Sequence, residues 1–183
     1  MRKLGMVCAL LASAAALAGC NQSAKRAGQE SPADVAKAAT TFLSAICSEN
    51  EEQMFNMLTV DARSALKAKG MSPQLPSSGS TSFEIGEIEL VEGGAHVMCK
   101  WFDQLPDGSR DITEVLWMLR KEDHGWRVAG MAMKVYEDQP GVILNFEDPD
   151  DMIRKLDLIA QEDERRAQAG AQEIARDPAG ATR

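Results

Sequence analysis

The order of apolar and polar positions divides the chain into segments of different period. Val35, Ala39, Phe42 and Ile46 follow one another at spacings of four, three and four, which places them on one face of a helix. Leu43 and Cys47 flank that face. Ser31 and Pro32 supply an N-cap followed by proline at the first helical position, and the helix is expected to end near Ser48. Asn50 with Gln53 has the spacing of a capping box, and Glu51 and Glu52 suit the positive end of a second helix carrying Met54, Phe55 and Leu58. Thr59 caps a third short helix with Ala62, Ala65 and Leu66, and Gly70 is placed to end it. Met71 to Ser82 is rich in Pro, Gly and Ser and reads as a loop.

The period then changes to two. Strands are predicted at 83–91, 95–103, 110–120 and 126–136, joined by Glu92-Gly93-Gly94, Pro106-Asp107-Gly108 and Asp123-His124-Gly125. Glycine in each short connection suits hairpins, so the strands form an antiparallel meander. Ala95, Val97, Cys99 and Trp101 alternate with His96, Met98, Lys100 and Phe102. Thr113, Val115, Trp117 and Leu119 alternate with Ile112, Glu114, Leu116 and Met118. Both faces are therefore apolar, whereas a sheet wet on one side shows a cleaner polar face. The second face is expected to be covered by the C-terminal segment, a partner subunit or both. Asp148, Pro149, Asp150 and Asp151 mark a strong helix start, with Met152, Ile153, Leu156 and Ile159 as its stripe. Residues 161–183 are charged and Ala-rich and read as a polar tail, helical or frayed near Asp177-Pro178. The fold class is α+β: N-terminal helices packed on a curved four-stranded antiparallel meander, plus a C-terminal helix.

The first twenty residues carry an address. Arg2 and Lys3 precede an uncharged run from Leu4 to Ala18 of about 15 residues. That is shorter than the ~20 residues a spanning helix needs, and it fits a signal peptide over residues 1–19. Leu17-Ala18-Gly19-Cys20 resembles the lipobox of bacterial lipoproteins. The resemblance implies cleavage between Gly19 and Cys20 and acylation of Cys20, with palmitate-type chains holding the protein at the cell membrane or outer membrane, facing the periplasm or exterior. Asn21, in place of aspartate after the cysteine, is what enterobacterial lipoproteins bound for the outer membrane carry. Several chains at ~0.8 kcal/mol per buried CH₂ give a stable anchor. Residues 20–32 are small and polar and read as a flexible spacer.

Loss of the leader leaves 164 residues, enough for one domain with a proper core. It also removes two basic side chains, leaving 18 against 28 acids and a net charge of −10. Such a surface does not suit nucleic acid, whose phosphates call for Lys and Arg clusters, nor adsorption to anionic headgroups. Membrane attachment falls to the lipid. Of the remaining cysteines, Cys47 and Cys99 offer either a disulfide, in a compartment where disulfides persist, or two buried thiols. Neither has partners at zinc spacing, and no metal or cofactor is expected.

The helical segment from Ala36 to Leu66, with Phe42-Leu43, Asn50-Glu51-Glu52 and Leu58-Thr59, resembles small bacterial lipoproteins of the nuclear-transport-factor-2-like superfamily. So does the hairpin strand Gly125-Trp126-Arg127-Val128. The likeness covers residues 33–136; a cystatin-like sheet, by contrast, carries a single helix. It implies a cone-shaped domain, taken as residues 33–160 with the C-terminal helix. Its members are either enzymes with a pocket inside the cone or non-enzymatic binding and dimerisation modules, and fold alone does not choose. The candidate pocket residues are Phe42, Ile46, Trp101, Glu114, Trp117 and Met131, which equally suit a plain core. Among titratable groups, His96 and His124 lie near turns and Asp103 near a loop, all expected to be solvated. Glu114, between Ile112 and Leu116, is expected either desolvated or paired with a neighbour such as Arg127. No catalytic residue is assigned. The expectation is a membrane-anchored, non-enzymatic binding or assembly module of the cell envelope, a homodimer through the sheet or bound to an envelope partner. The rival is a small-molecule carrier or an isomerase or dehydratase using the cone cavity. If Cys20 is the anchor, Cys20→Ser abolishes incorporation of labelled palmitate and leaves the leader attached; an acylated serine variant contradicts the assignment.

Overall fold

The computed structural model describes residues 31–73, 81–105 and 107–176. The signal peptide, the lipobox with Cys20, most of the spacer, much of the 71–82 loop and the end of the tail lie outside the described residues.

The first helix, α1 (Pro32–Cys47), starts where Ser31 Oγ accepts the Ala33 N–H at 3.2 Å. It buries Val35, Ala39, Phe42, Leu43 and Ile46. The second, α2 (Glu51–Met57), starts where Asn50 Oδ1 accepts the Gln53 N–H at 3.0 Å. The third, α3 (Val60–Ala68), is capped by Thr59 and ends ahead of Gly70, whose φ of 65° is the left-handed conformation that closes helices. Each cap forms at the residue the sequence marks, because each satisfies helix N–H groups that have no partner within the helix.

Thr59 is almost fully buried and does a second task. Its hydroxyl accepts the Ala62 N–H at 3.2 Å and donates to Glu147 Oε1 at 2.9 Å. Glu147 also meets Arg120 at 3.1 Å, and the Thr59 N–H donates to the Val128 carbonyl at 3.0 Å. The α2–α3 junction is thereby stitched to the sheet by groups that burial would otherwise leave unsatisfied.

The sheet is open and antiparallel, with β1 (Ser82–Val91), β2 (Gly94–Gln104), β3 (Arg110–Glu122), β4 (Gly125–Met133) and β5 (Val142–Asn145) side by side in chain order. Four strands are expected from the sequence; the described residues form five, and β4 stops at Met133. The fifth escapes a periodicity reading because four residues are too short to show a period. Register shifts between Ile85 and Ile88 and opposite Met118–Leu119 mark bulges, which bend the strands.

The core lies between α1–α3 and one sheet face. That face carries Ala95, Val97, Cys99 and Trp101 from β2, Val115, Trp117 and Leu119 from β3, and Val128 and Met131 from β4. Phe42 of α1 meets Trp117 edge-on, with ring centroids 5.2 Å apart and planes at 72°.

The last helix, α4, runs from Pro149 to Arg176, with Asp148 Oδ1 accepting the Asp151 N–H at 3.0 Å. The segment from 161 thus continues the helix. Of its apolar stripe only Met152 joins the core; Ile153 and Ile159 are partly buried and Leu156 is exposed, as is Leu158 outside the stripe. No helix among the described residues is long and apolar enough to cross a membrane.

Candidate functional site

Five of the six candidate pocket residues come together. Phe42, Ile46, Trp101, Trp117 and Met131 belong to one buried cluster, each 4 % exposed or less. Their side chains fill the space between helices and sheet. The sixth does not join them. Glu114 faces the opposite side of the sheet, exposed and in register with Lys100. It is neither desolvated nor beside Arg127, which lies opposite Arg120. The alternation along β3 dictates this: Val115 and Trp117 face inward, so Glu114 and Leu116 face outward.

His96 also faces outward, with Nδ1 3.7 Å from Glu89 Oε2 on the neighbouring strand. His124 sits exposed in the β3–β4 turn, as expected. Asp103 departs from expectation. It is partly buried, accepting the Thr81 hydroxyl at 2.5 Å and the Trp101 indole N–H at 3.1 Å, so it orients a core tryptophan. No group of three or more His, Cys, Asp or Glu among the described residues is arranged to hold a metal ion.

The outer face has its own pattern. In register across four strands run Met98, Leu116, Ala132 and Ile143, with Gly86 at the β1 end. Met118 lies over Gly130 beside this row: a Cβ built on Gly130 would sit 2.8 Å from Met118 Cε and 2.5 Å from the Leu144 carbonyl oxygen. Met98, Leu116 and Met118 are partly buried, and Ile112 and Ile143 are more than half exposed. Grooves of about 290 and 270 Å³ flank the row, the first bordered by Glu84, Lys100 and Glu114, the second by His96, Arg120 and Asn145. The C-terminal segment, expected as a cover for this face, lies along β5 instead.

A polar cluster that the sequence reading missed holds α4 there. Arg166 donates to both Asp138 oxygens at 2.8 Å and to Glu162 at 2.7 Å, and its guanidinium lies 4.1 Å from the centre of the Tyr136 ring. The single proton of the Tyr136 hydroxyl is shared between Asp163 Oδ1 at 2.8 Å and the Ile159 carbonyl oxygen at 3.1 Å. Hydrogen bonds from Arg165 and Arg166 hold the Glu162 carboxyl down to about 2. Arg166 likewise lowers Asp138, whereas desolvation and then Asp163 raise Tyr136. The i, i+4 spacing of Glu162 and Arg166 was the one signal in the sequence.

Cys47 and Cys99 are free thiols. Of the two sequence alternatives, the structure therefore carries the unbridged one. Burial pushes the Cys99 thiol up to about 11 and also raises Cys47, where the Asp103 carboxylate adds to the shift. Buried sulfur such as that of Cys99 is packing material rather than a nucleophile.

Comparison with protein-family models, with curated proteins and with solved structures finds no match to this chain.

Iodoacetamide at pH 8 should alkylate the partly exposed Cys47 first, and Cys99 only in denaturant, as read by peptide mass. Labelling of Cys99 in the folded protein at the rate of an exposed thiol contradicts the burial argument.

Proposed function

We propose that this chain is a lipid-anchored protein of the cell envelope, of nuclear-transport-factor-2-like type, acting as a non-enzymatic binding or assembly module and pairing with a second copy through the outer face of its sheet. One observation carries the reading: the apolar row Met98–Leu116–Ala132–Ile143 crosses a sheet face opposite the one on which α1–α3 pack. Contiguous apolar surface edged by polar groups marks an interaction site. Here the edging is Glu84, Lys100 and Glu114 on one side and His96 and Arg120 on the other. The two-sided apolar pattern of the strands then has a physical purpose, since a partner removes from water what the helices leave outside.

The rival reading needs an acid or base inside a cavity. Glu114 and His96 face outward, and the interior is packed with aromatic and aliphatic side chains. Membrane attachment rests on Cys20, since the acidic body offers no affinity for anionic lipid of its own.

The test is the mass of the detergent-extracted protein by light scattering. The wild type is expected as a dimer. The double substitution Met98→Glu and Leu116→Glu places like charges in the centre of the face and yields a monomer with an unchanged circular dichroism spectrum. A monomeric wild type at micromolar concentration overturns self-association through this face.

A further inference from the structure

Beside the apolar row, opposite charges alternate across the outer face. Glu84 of β1 is in register with Lys100 of β2, and Lys100 with Glu114 of β3. Met133, the last residue of β4, is in register with Val115, so Lys134 continues the row beyond that strand. The signs run minus, plus, minus, plus, and all four residues are exposed. Lys134 meets Glu137 at 2.9 Å. Among the described residues, Glu84, Lys100 and Glu114 form no ion pair with one another. The row is therefore not a ladder of ion pairs closed within the chain.

The whole row is its own complement in one arrangement. Sheets that pack aligned keep their strands within ~30° of one another, and two identical chains close into a pair about a two-fold axis. An axis parallel to the strands, between β2 and β3, leaves every row opposite itself. It sets Lys100 against the partner's Glu114 and Glu84 against the partner's Lys134, with Met98 against the partner's Leu116. An axis over β3 sets Glu114 against the partner's Glu114. An axis across the strands at Met98 and Leu116 inverts the rows, and Glu84 then meets the partner's Glu89 while Glu114 meets the partner's Met118. Like charges and a carboxylate on a thioether disfavour both alternatives. The chain is acidic throughout, so copies repel one another except where signs alternate in this way.

We propose that two copies pack face to face about an axis between β2 and β3, and that Lys100 and Glu114 select a second copy of this chain as the partner. This rests on the self-association proposed above and adds its geometry and the residues that choose the partner. Met98 and Leu116 supply the apolar contact. The charges fix register and exclude other partners more than they add affinity.

The experiment uses the full-length lipidated wild type and the full-length double swap Lys100→Glu and Glu114→Lys, each with a different affinity tag. They are mixed in detergent, diluted to dissociate, reconcentrated to micromolar and weighed by native mass spectrometry. The swap keeps opposite charges facing across β2 and β3 within its own chain, and a pair of swapped chains makes both contacts with the signs reversed. Wild type and swap should each dimerise with themselves. A mixed dimer brings like charges together twice, so it should form at least about tenfold less than its statistical share. The single variants behave oppositely. Lys100→Glu and Glu114→Lys should each self-associate at least about tenfold more weakly than the wild type, yet dimerise with each other, because that pair alone brings opposite charges together at both contacts. Free mixing of wild type with swap, or folded single variants that do not rescue one another, overturns this pairing while a dimeric wild type leaves self-association standing. A monomeric wild type overturns self-association and the pairing with it. The wild-type and swap mixture decides partner choice without the single variants.

Discussion

The seating of Phe42 against Trp117 fixes how α1 lies on the sheet, and the rest of the interior is arranged around it. Both rings are buried, and edge-to-face contact adds ~0.5–1.5 kcal/mol to the larger benefit of removing them from water. Trp117 sits on the central strand, so a helix anchored there shields β2 and β4 as well. The interior is packed with aromatic and aliphatic side chains, and grooves lie on the outer sheet face and between β5 and α4.

The two ends of the domain are held by different forces. The helices α1–α3 are attached by apolar burial, stitched at one corner by Thr59 and Glu147. The helix α4 buries only Met152 of its apolar stripe and otherwise depends on Lys155, Tyr136, Asp138, Glu162 and Arg166, most of them at least partly exposed. Exposed ion pairs contribute little individually, and salt weakens them. An element so attached opens more readily than the core.

Much of this architecture is legible in the sequence, and the limits follow from range. The caps at Ser31, Asn50, Thr59 and Asp148 are local hydrogen bonds, and each forms where its residue type and spacing indicate. Alternation along β3 correctly groups Glu114 with Ile112 and Leu116, but it does not say which face is inside, because both faces are apolar. Trp117 resolves that only once Phe42 is seen against it. The cluster linking Tyr136 and Asp138 to Arg166 joins residues about thirty positions apart and leaves no periodic trace. The strand β5 is defined by its pairing with Met131 and Ala132 rather than by its own four residues.

The most direct test of a filled interior is urea unfolding of Phe42→Ala. Removing a fully buried ring from a close-packed site costs the transfer energy of the lost atoms plus that of the cavity left behind, ~3–5 kcal/mol. A loss of that size, with the slope of the unfolding transition unchanged, is the expected result. A loss below ~1 kcal/mol would mean that the space around Trp117 already stands open, and the assignment of function to the outer surfaces would be wrong.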